Sequence, residues 1–401
     1  MPRAWFFNIP FHGHINPTLP LVRELVRRGD EITYFSTRPY EEVIKATGAH
    51  FRGYDQAHSF EGSRHVSHII HHGSLVAEAT YALLPEVLSS VEREQPDYLI
   101  YDMSAPWGEI ASHKFHIPAV ASFPHLPFYW RTVLNDWRVF RKVIASIQPG
   151  YGYWRKLQRQ TAKIVKDYKL RDPKEINVLS SSAELNIVFS SRYFQPYDRH
   201  FDESYLYVGP DIDLERNEEP IVITKQNDQK LVYIAVGTVY QASLDFFQLC
   251  IQAFNDPSYS VIMSIGRSVD PTSLGSIPGN FIVAQFIPQL KVLQEADIFI
   301  THGGMNSISE SVFLNVPMIV VPNTVEQATN AARVEQLQGG LYLDHKGLSA
   351  DILKQAVKRI LSDPAFSAGL ERIRNSFIEA GGVQRAADAI QTFKHTNNLS
   401  A

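Results

Sequence analysis

Apolar residues in this chain fall in short unbroken runs. Trp5–Ile9, Ile32–Ser36, Tyr98–Tyr101, Val120–Phe123 and Asn186–Phe189 occupy the first half. Leu231–Val236, Ser260–Ile265, Phe281–Ala284, Ile298–Thr301 and Met318–Val321 repeat the style in the second. Stretches with helical spacing separate them. A run that is apolar at nearly every position has no solvent face, so it predicts a strand of a parallel sheet covered by helices on both sides. Two such series predict an α/β protein of two doubly wound, Rossmann-like domains. After Tyr205-Leu206-Tyr207-Val208-Gly209-Pro210 the chain turns polar, which sets the expected division. A first domain covers 1–210, a linker 211–230, a second domain 231–385, and a closing helix and tail 386–401.

In open parallel sheets, ligands bind beyond the carboxyl ends of the strands, so the loops after strands carry the chemistry. The first is Pro10-Phe11-His12-Gly13-His14-Ile15-Asn16-Pro17. It predicts a helix with Asn16 as N-cap, Pro17 at the first helical position and an apolar stripe of Leu19, Val22, Leu25 and Val26. Arg27 and Arg28 suit its negative end, and Gly29 the position after it. His12 and His14 then lie in a loop above the sheet. The helix dipole near His14 favours a neutral imidazole, the form a general base needs, though a locally bonded loop histidine fits that position equally; His12 reads as a locally bonded loop residue. The loop lacks G-x-G-x-x-G, which argues against a dinucleotide-dependent oxidoreductase. Asp102 closes the Tyr98–Tyr101 run at the same sheet end. It suits either the next helix start or a hydrogen bond that fixes an imidazole tautomer.

The third loop, Thr301-His302-Gly303-Gly304-Met305-Asn306-Ser307-Ile308-Ser309-Glu310, is a two-glycine turn opening a helix. Free N–H groups and the dipole there favour an anion, and His302 can donate to a phosphate oxygen. No Lys-Ser/Thr follows, so it is not a Walker loop. Ser307 and Glu310 also fit a capping box. Pro322–Gln327 repeats the strand-to-helix step. Thr324 and Gln327 suit a second capping box there, or Glu326 and Gln327 present polar groups to a hydroxylated ligand.

Composition narrows the choice. A net charge of −4 lacks the basic excess of a nucleic-acid binder. The single cysteine, Cys250, excludes an internal disulfide framework and reads as core. No apolar run is long enough to span a membrane, and the N-terminus enters its first strand without a leader, so a cytoplasmic protein is expected. Asp211-Ile212-Asp213 spells a metal motif but lies in the linker. His68, His71 and His72 have helical spacing and read as a helix face. The aromatic stretch from Phe123 to Trp154 suits either an apolar acceptor pocket or, at helical spacing, core or interdomain packing.

Together these segments resemble the GT-B glycosyltransferases that use UDP-sugars, in particular the bacterial enzymes acting on macrolides, flavonoids and other small aglycones. The resemblance runs over essentially the whole chain. It is carried by His12-Gly13-His14-Ile15-Asn16-Pro17, Gly237-Thr238, Phe286-Ile287-Pro288-Gln289-Leu290-Lys291-Val292-Leu293, His302–Ser307, Glu310, Val316-Pro317 and Glu326-Gln327. It implies two domains facing across a cleft, with the C-terminal tail crossing back to the first. It implies inverting, metal-independent transfer of a hexose, with glucose the expected sugar, to a hydroxyl of a small acceptor. By that resemblance His14 is the general base and Asp102 its orienting carboxylate. Thr238, His302 and the backbone at Gly304, Asn306 and Ser307 hold the diphosphate, and Glu310 the ribose. Phe286 stacks on uracil while the Ile287 backbone reads its edge; Gln289 belongs to the same donor signature. Glu326 and Gln327 hold the sugar. No permanent cofactor is implied, and the partners are UDP-sugar and acceptor, with the chain a monomer or weak dimer.

Many relatives carry Trp where this chain has Phe286 and Met305, and Asp where it has Glu326, which bears on the choice among UDP-hexoses. Two other readings compete: a UDP-sugar epimerase of the same fold, and a non-catalytic helper. The Gly-His loop argues against the first. Retention of both His14 and Asp102 argues against the second.

Overall fold

The computed structural model describes residues 1–56, 60, 69–170, 178, 180–213, 221, 223, 225, 228–236, 244–267 and 269–399. They form two compact units, each built on one parallel sheet. The first sheet contains β1 (Arg3–Phe7), β2 (Glu31–Ser36), β3 (His50–Gly53), β4 (Tyr98–Asp102), β5 (Ala119–Phe123), β6 (Leu185–Val188) and β7 (Tyr205–Tyr207). Its order is β3-β2-β1-β4-β5-β6-β7, the doubly wound arrangement, which reverses direction between β1 and β4. Successive residues of β1 face opposite layers. Trp5 and Phe7 enter one core cluster, Ala4 and Phe6 the other. Burial on both faces is why the run carries no polar alternation.

The second sheet contains β8 (Lys230–Ala235), β9 (Tyr259–Ser264), β10 (Phe281–Ala284), β11 (Ile298–Thr301), β12 (Met318–Val320) and β13 (Gly340–Tyr342). Its order is β10-β9-β8-β11-β12-β13, with the reversal between β8 and β11. Cys250 is buried in the core of this unit.

Two stretches differ from a division at 1–210 and 231–385. Residues 131–143 cluster with the second unit, and the first unit resumes at Phe377, nine residues before the tail at 386–401 that the resemblance has crossing back. Side-chain chemistry explains both. In the first stretch, Arg138 donates to Glu335 Oε2 at 2.5 Å and lies 4.0 Å over the Tyr342 ring. Arg141 pairs with Asp344, and Lys142 Nζ donates to the Pro322 carbonyl at 3.0 Å. At the other end, the helix Gly382–Thr396 sets Ala386, Ala387, Ile390 and Phe393 among Leu21, Val22 and Leu25. Its buried Lys394 Nζ reaches Asp30 Oδ1 and Oδ2 at 2.6 and 2.8 Å, and Tyr98 OH donates to the same carboxylate at 2.8 Å. A buried pair needs such extra hydrogen bonds to offset desolvation.

The aromatic stretch is mostly not core: Phe123 is buried in the core of the first unit, Tyr129 and Tyr153 are half-buried, and Phe128, Trp130, Trp137, Phe140, Tyr151 and Trp154 are exposed.

Candidate functional site

In the first unit, β1 hands over to a one-turn helix, His12–Ile15, whose N-cap is Phe11 in extended conformation. The Phe11 carbonyl accepts from the His14 and Ile15 N–H groups, both at 2.9 Å. This corrects the placement of Asn16 as N-cap over a histidine-bearing loop. Asn16 is itself in the αR region and opens a 3₁₀ turn, Asn16–Thr18, leading into the helix Leu19–Arg27. An N-cap needs extended backbone, and Phe11 has it. His14 is therefore held by helical backbone. Asn8 fastens the turn, its Nδ2 donating to the His14 carbonyl at 3.2 Å and to Tyr34 OH at 2.6 Å.

His14 Nδ1 stands 2.9 Å from Asp102 Oδ2, with the carboxylate fully buried. Asp102 Oδ1 accepts from the Ser104 N–H at 2.7 Å. It does not cap the following helix, Pro106–Phe115, whose N-cap is Ala105 without a side-chain bond. An ionised carboxylate here would only accept, which favours the tautomer with the proton on His14 Nδ1 and the lone pair on Nε2. That Nε2 is 3.0 Å from His125 Nε2, with the rings edge to face. His125 follows β5, next to β4 in the sheet. Burial, then the neighbouring His14 and His72, hold its pKa well below the usual imidazole value. His72 is lowered to about 4 by burial, then by His14 and His71. His71 stacks on Tyr153 at 4.0 Å. His68 lies outside the described residues. Among the described residues, no group of three or more His, Cys, Asp or Glu is arranged to hold a metal. His12 is exposed, its ring edge-on to Tyr40.

In the second unit, β11 runs into His302-Gly303-Gly304 and the helix Met305–Phe313. Gly303 has φ +85, and a Cβ there would lie 2.5 Å from Val320 Cγ1. Gly304 is the N-cap and supplies no side-chain bond to the first turn. A Cβ on it would sit 2.7 Å from His302 Nε2, so the imidazole lies against the helix start. Burial lowers the His302 pKa to about 4, opposed by a weaker interaction with the Ala235 backbone. A bare helix N-terminus beside a neutral imidazole suits an anion with several oxygens.

Asn306 and Ser307 are half-buried in the first turn, and Glu310 is buried one turn on. Gln289 Nε2 donates to Glu310 Oε2 at 2.6 Å and approaches Ser307 Oγ at 3.4 Å. The capping box expected of Ser307 and Glu310 does not form, because the helix starts at Met305, two residues before Ser307, with Gly304 as its N-cap. Phe286 is 71% exposed beside the buried Ile287. Asn330 Nδ2 donates to Glu326 Oε1 at 2.7 Å and to the Gly303 carbonyl at 3.0 Å, which joins this segment to the glycine turn. The second capping box does form: Thr324 Oγ1 accepts from Gln327 N–H, and Gln327 Oε1 accepts from Asn323 and Thr324 N–H. The Gln327 carbonyl is thus committed to the helix start. Thr238 and Gly237, in the segment after β8, lie outside the described residues.

Sequence reasoning missed His125. Phe123-Pro124-His125 ends a strand as Asp102 does, so the strand-end rule pointed to it.

Comparison with known proteins gives these two sites a family. Residues 253–386 match the C-terminal domain model of the erythromycin biosynthesis protein CIII-like proteins. NDP-glycosyltransferase YjiC of Bacillus subtilis (strain 168) is 32% identical over 390 residues, 96% of each chain. Oleandomycin glycosyltransferase of Streptomyces antibioticus is 28% identical, covering 96% of this chain and 89% of its own. The crystal structure of the glycotransferase of kitacinnamycin superposes with a TM-score of 0.82 at 28% identity, over 98% of this chain and 100% of that one. The chain belongs to the bacterial macrolide and small-aglycone UDP-glycosyltransferases, enzymes of the GT-B fold that transfer a sugar from a nucleotide sugar.

Proposed function

We propose that this enzyme transfers a hexose, glucose being the expected one, from a UDP-sugar to a hydroxyl of a small aglycone with inversion at the anomeric carbon. The acceptor is a flavonoid, another phenol or a macrolide. His14 Nε2 takes the hydroxyl proton. The oxygen then attacks the anomeric carbon as its bond to the diphosphate breaks, turning an α-linked donor into a β-linked product. Asp102 holds the proton on Nδ1 and stabilises the imidazolium that forms. The departing diphosphate gains negative charge, which the N-terminus of Met305–Phe313 and His302 meet, so this reading needs no metal. Glu310, Glu326, Gln327, Phe286, Ile287, Gln289, Asn306, Ser307 and Thr238 serve the donor as the family resemblance implies.

One observation carries the reading: the 2.9 Å contact between His14 Nδ1 and the buried Asp102 carboxylate. It supports the reading of Nε2 as the base. No described helix is long and apolar enough to cross a membrane. A cytoplasmic monomer or weak dimer completes the proposal.

The test is mass spectrometry of products from a panel of phenols and macrolides with UDP-glucose and UDP-galactose, repeated with His14→Ala. General-base catalysis typically supplies ~10²–10⁴-fold, so the variant should lose that much turnover and still bind UDP. Undiminished turnover would overturn the assignment of His14.

A further inference from the structure

One histidine at the base has no part in the reaction as written. Its Nε2 stands 3.0 Å from His14 Nε2, the atom that must receive the acceptor proton. With Asp102 fixing hydrogen on Nδ1, neutral His14 offers only a lone pair at Nε2. His125 must therefore donate its own Nε2–H, which makes it the Nε2-protonated tautomer. Burial and the nearby histidines keep His125 neutral, so it meets His14 as a hydrogen-bond donor and not as a charge. A protonated His14 would turn a second N–H towards that same N–H.

We propose that His125 is a positioning residue that holds the place of the acceptor hydroxyl. In the acceptor-free site its Nε2–H occupies the lone pair of His14 and favours the neutral, base-ready form. When acceptor binds, the hydroxyl takes over that lone pair. The titratable groups facing the pair among the described residues are Asp102 at the end of β4 and His72 on Ile69–Glu94, with His71 beside it. The inference rests on the reading of His14 as base, but only in its kinetic consequences.

Two predictions separate this from a structural role. The acid limb of kcat/KM reports the free enzyme, and that of kcat the acceptor complex. In His125→Leu, neutral His14 loses its donor, so protonation comes more easily. The acid limb of kcat/KM should rise by about 0.5–1 pH unit, the size of one ordinary hydrogen bond. The limb of kcat should stay, because the acceptor has already replaced His125. Above both limbs the acceptor KM should fall by a few-fold, since no bond need be displaced. His125→Gln, which can present an amide N–H at similar reach, should restore the wild-type limb and KM. Unmoved limbs, limbs that move together, or a folded His125→Gln that behaves like Leu would overturn the proposal.

If His125→Leu does not fold, ¹⁵N-histidine NMR of the wild-type protein decides. The resting enzyme should show His14 protonated at Nδ1 and His125 at Nε2, with a coupling across the Nε2–H···Nε2 bond that disappears on adding acceptor. A His125 protonated at Nδ1 would refute it. That measurement does not depend on His14 being the base. Failure there sinks this inference alone, whereas full turnover in His14→Ala sinks the proposed mechanism.

Discussion

The two sheets share one topology and end in different chemistry. Each reverses strand order beside its first strand, between β1 and β4 or between β8 and β11, and each puts a candidate site on the carboxyl side of that point. In the first unit the candidate site is made of side chains from three adjacent strands: His14 after β1, Asp102 on β4 and His125 after β5. In the second it sits in backbone: Gly303 at positive φ, Gly304 as a bare N-cap, and His302 pressed against them. Physical demand explains the difference. Proton transfer needs one lone pair at a fixed position and a partner for the charge that follows. A diphosphate needs several N–H groups of modest strength aimed at diffuse charge.

The largest expected effect tests the side-chain half. Asp102 serves two donors, Ser104 N–H on Oδ1 and His14 Nδ1–H on Oδ2. Asp102→Asn can satisfy only one with its carbonyl. If that is Ser104, the amide N–H₂ faces His14 Nδ1 and moves the imidazole proton to Nε2, which removes the base. Turnover should fall on the order of 10²–10³-fold, with UDP affinity measured by calorimetry unchanged. An equal loss of UDP affinity would mean that the two regions are not chemically separate.

The next effect tests the backbone half. Gly303→Ala puts a Cβ 2.5 Å from Val320 Cγ1 at a φ of +85, so the turn must shift and carry the helix N–H groups with it. UDP affinity should weaken by roughly tenfold or more, about 1.4 kcal/mol, because aim is what backbone donors contribute. The acid limb of kcat/KM, which the proposed mechanism ties to the first unit, should not move. A shifted limb would break the comparison from the other side.

The contrast also accounts for what the sequence made legible. The ten strands read as apolar runs are all present within a residue or two, because burial on both faces leaves an unbroken signal. Three strands escaped: β3, β7 and β13. All three lie at sheet edges, where His50–Gly53 pairs on one side only and needs no continuous apolar run. The backbone site was legible because two glycines before a helix have few other uses. The side-chain site was legible for His14 and Asp102, whose residues fit proton chemistry and whose strands are neighbours. His125 was not picked out: its place after a strand marks the right sheet end, but a lone histidine there names no chemistry. The helix start at Phe11 was hidden too, since Asn-Pro is so strong a cap signal that it masked an extra turn before it.

The smallest effect is one the two regions share until ligand separates them. His72 in the first unit and His302 in the second each have a folded pKa of about 4, against 6.5 for the ordinary imidazole. Between those values the unfolded chain binds a proton at each position and the folded chain does not. Stability from each is therefore complete above about pH 6.5 and declines as pH falls towards 4. The melting temperature should drop over that window in the ligand-free enzyme, and either His72→Asn or His302→Asn should make the slope shallower by a similar amount. Saturating UDP should break the equality. A diphosphate at the helix N-terminus favours a protonated His302, which raises its folded pKa and shrinks its share of the slope, while His72 has no such anion. With UDP present, His302→Asn should then change the slope less than His72→Asn does. Equal changes with UDP would show that the diphosphate does not sit beside His302.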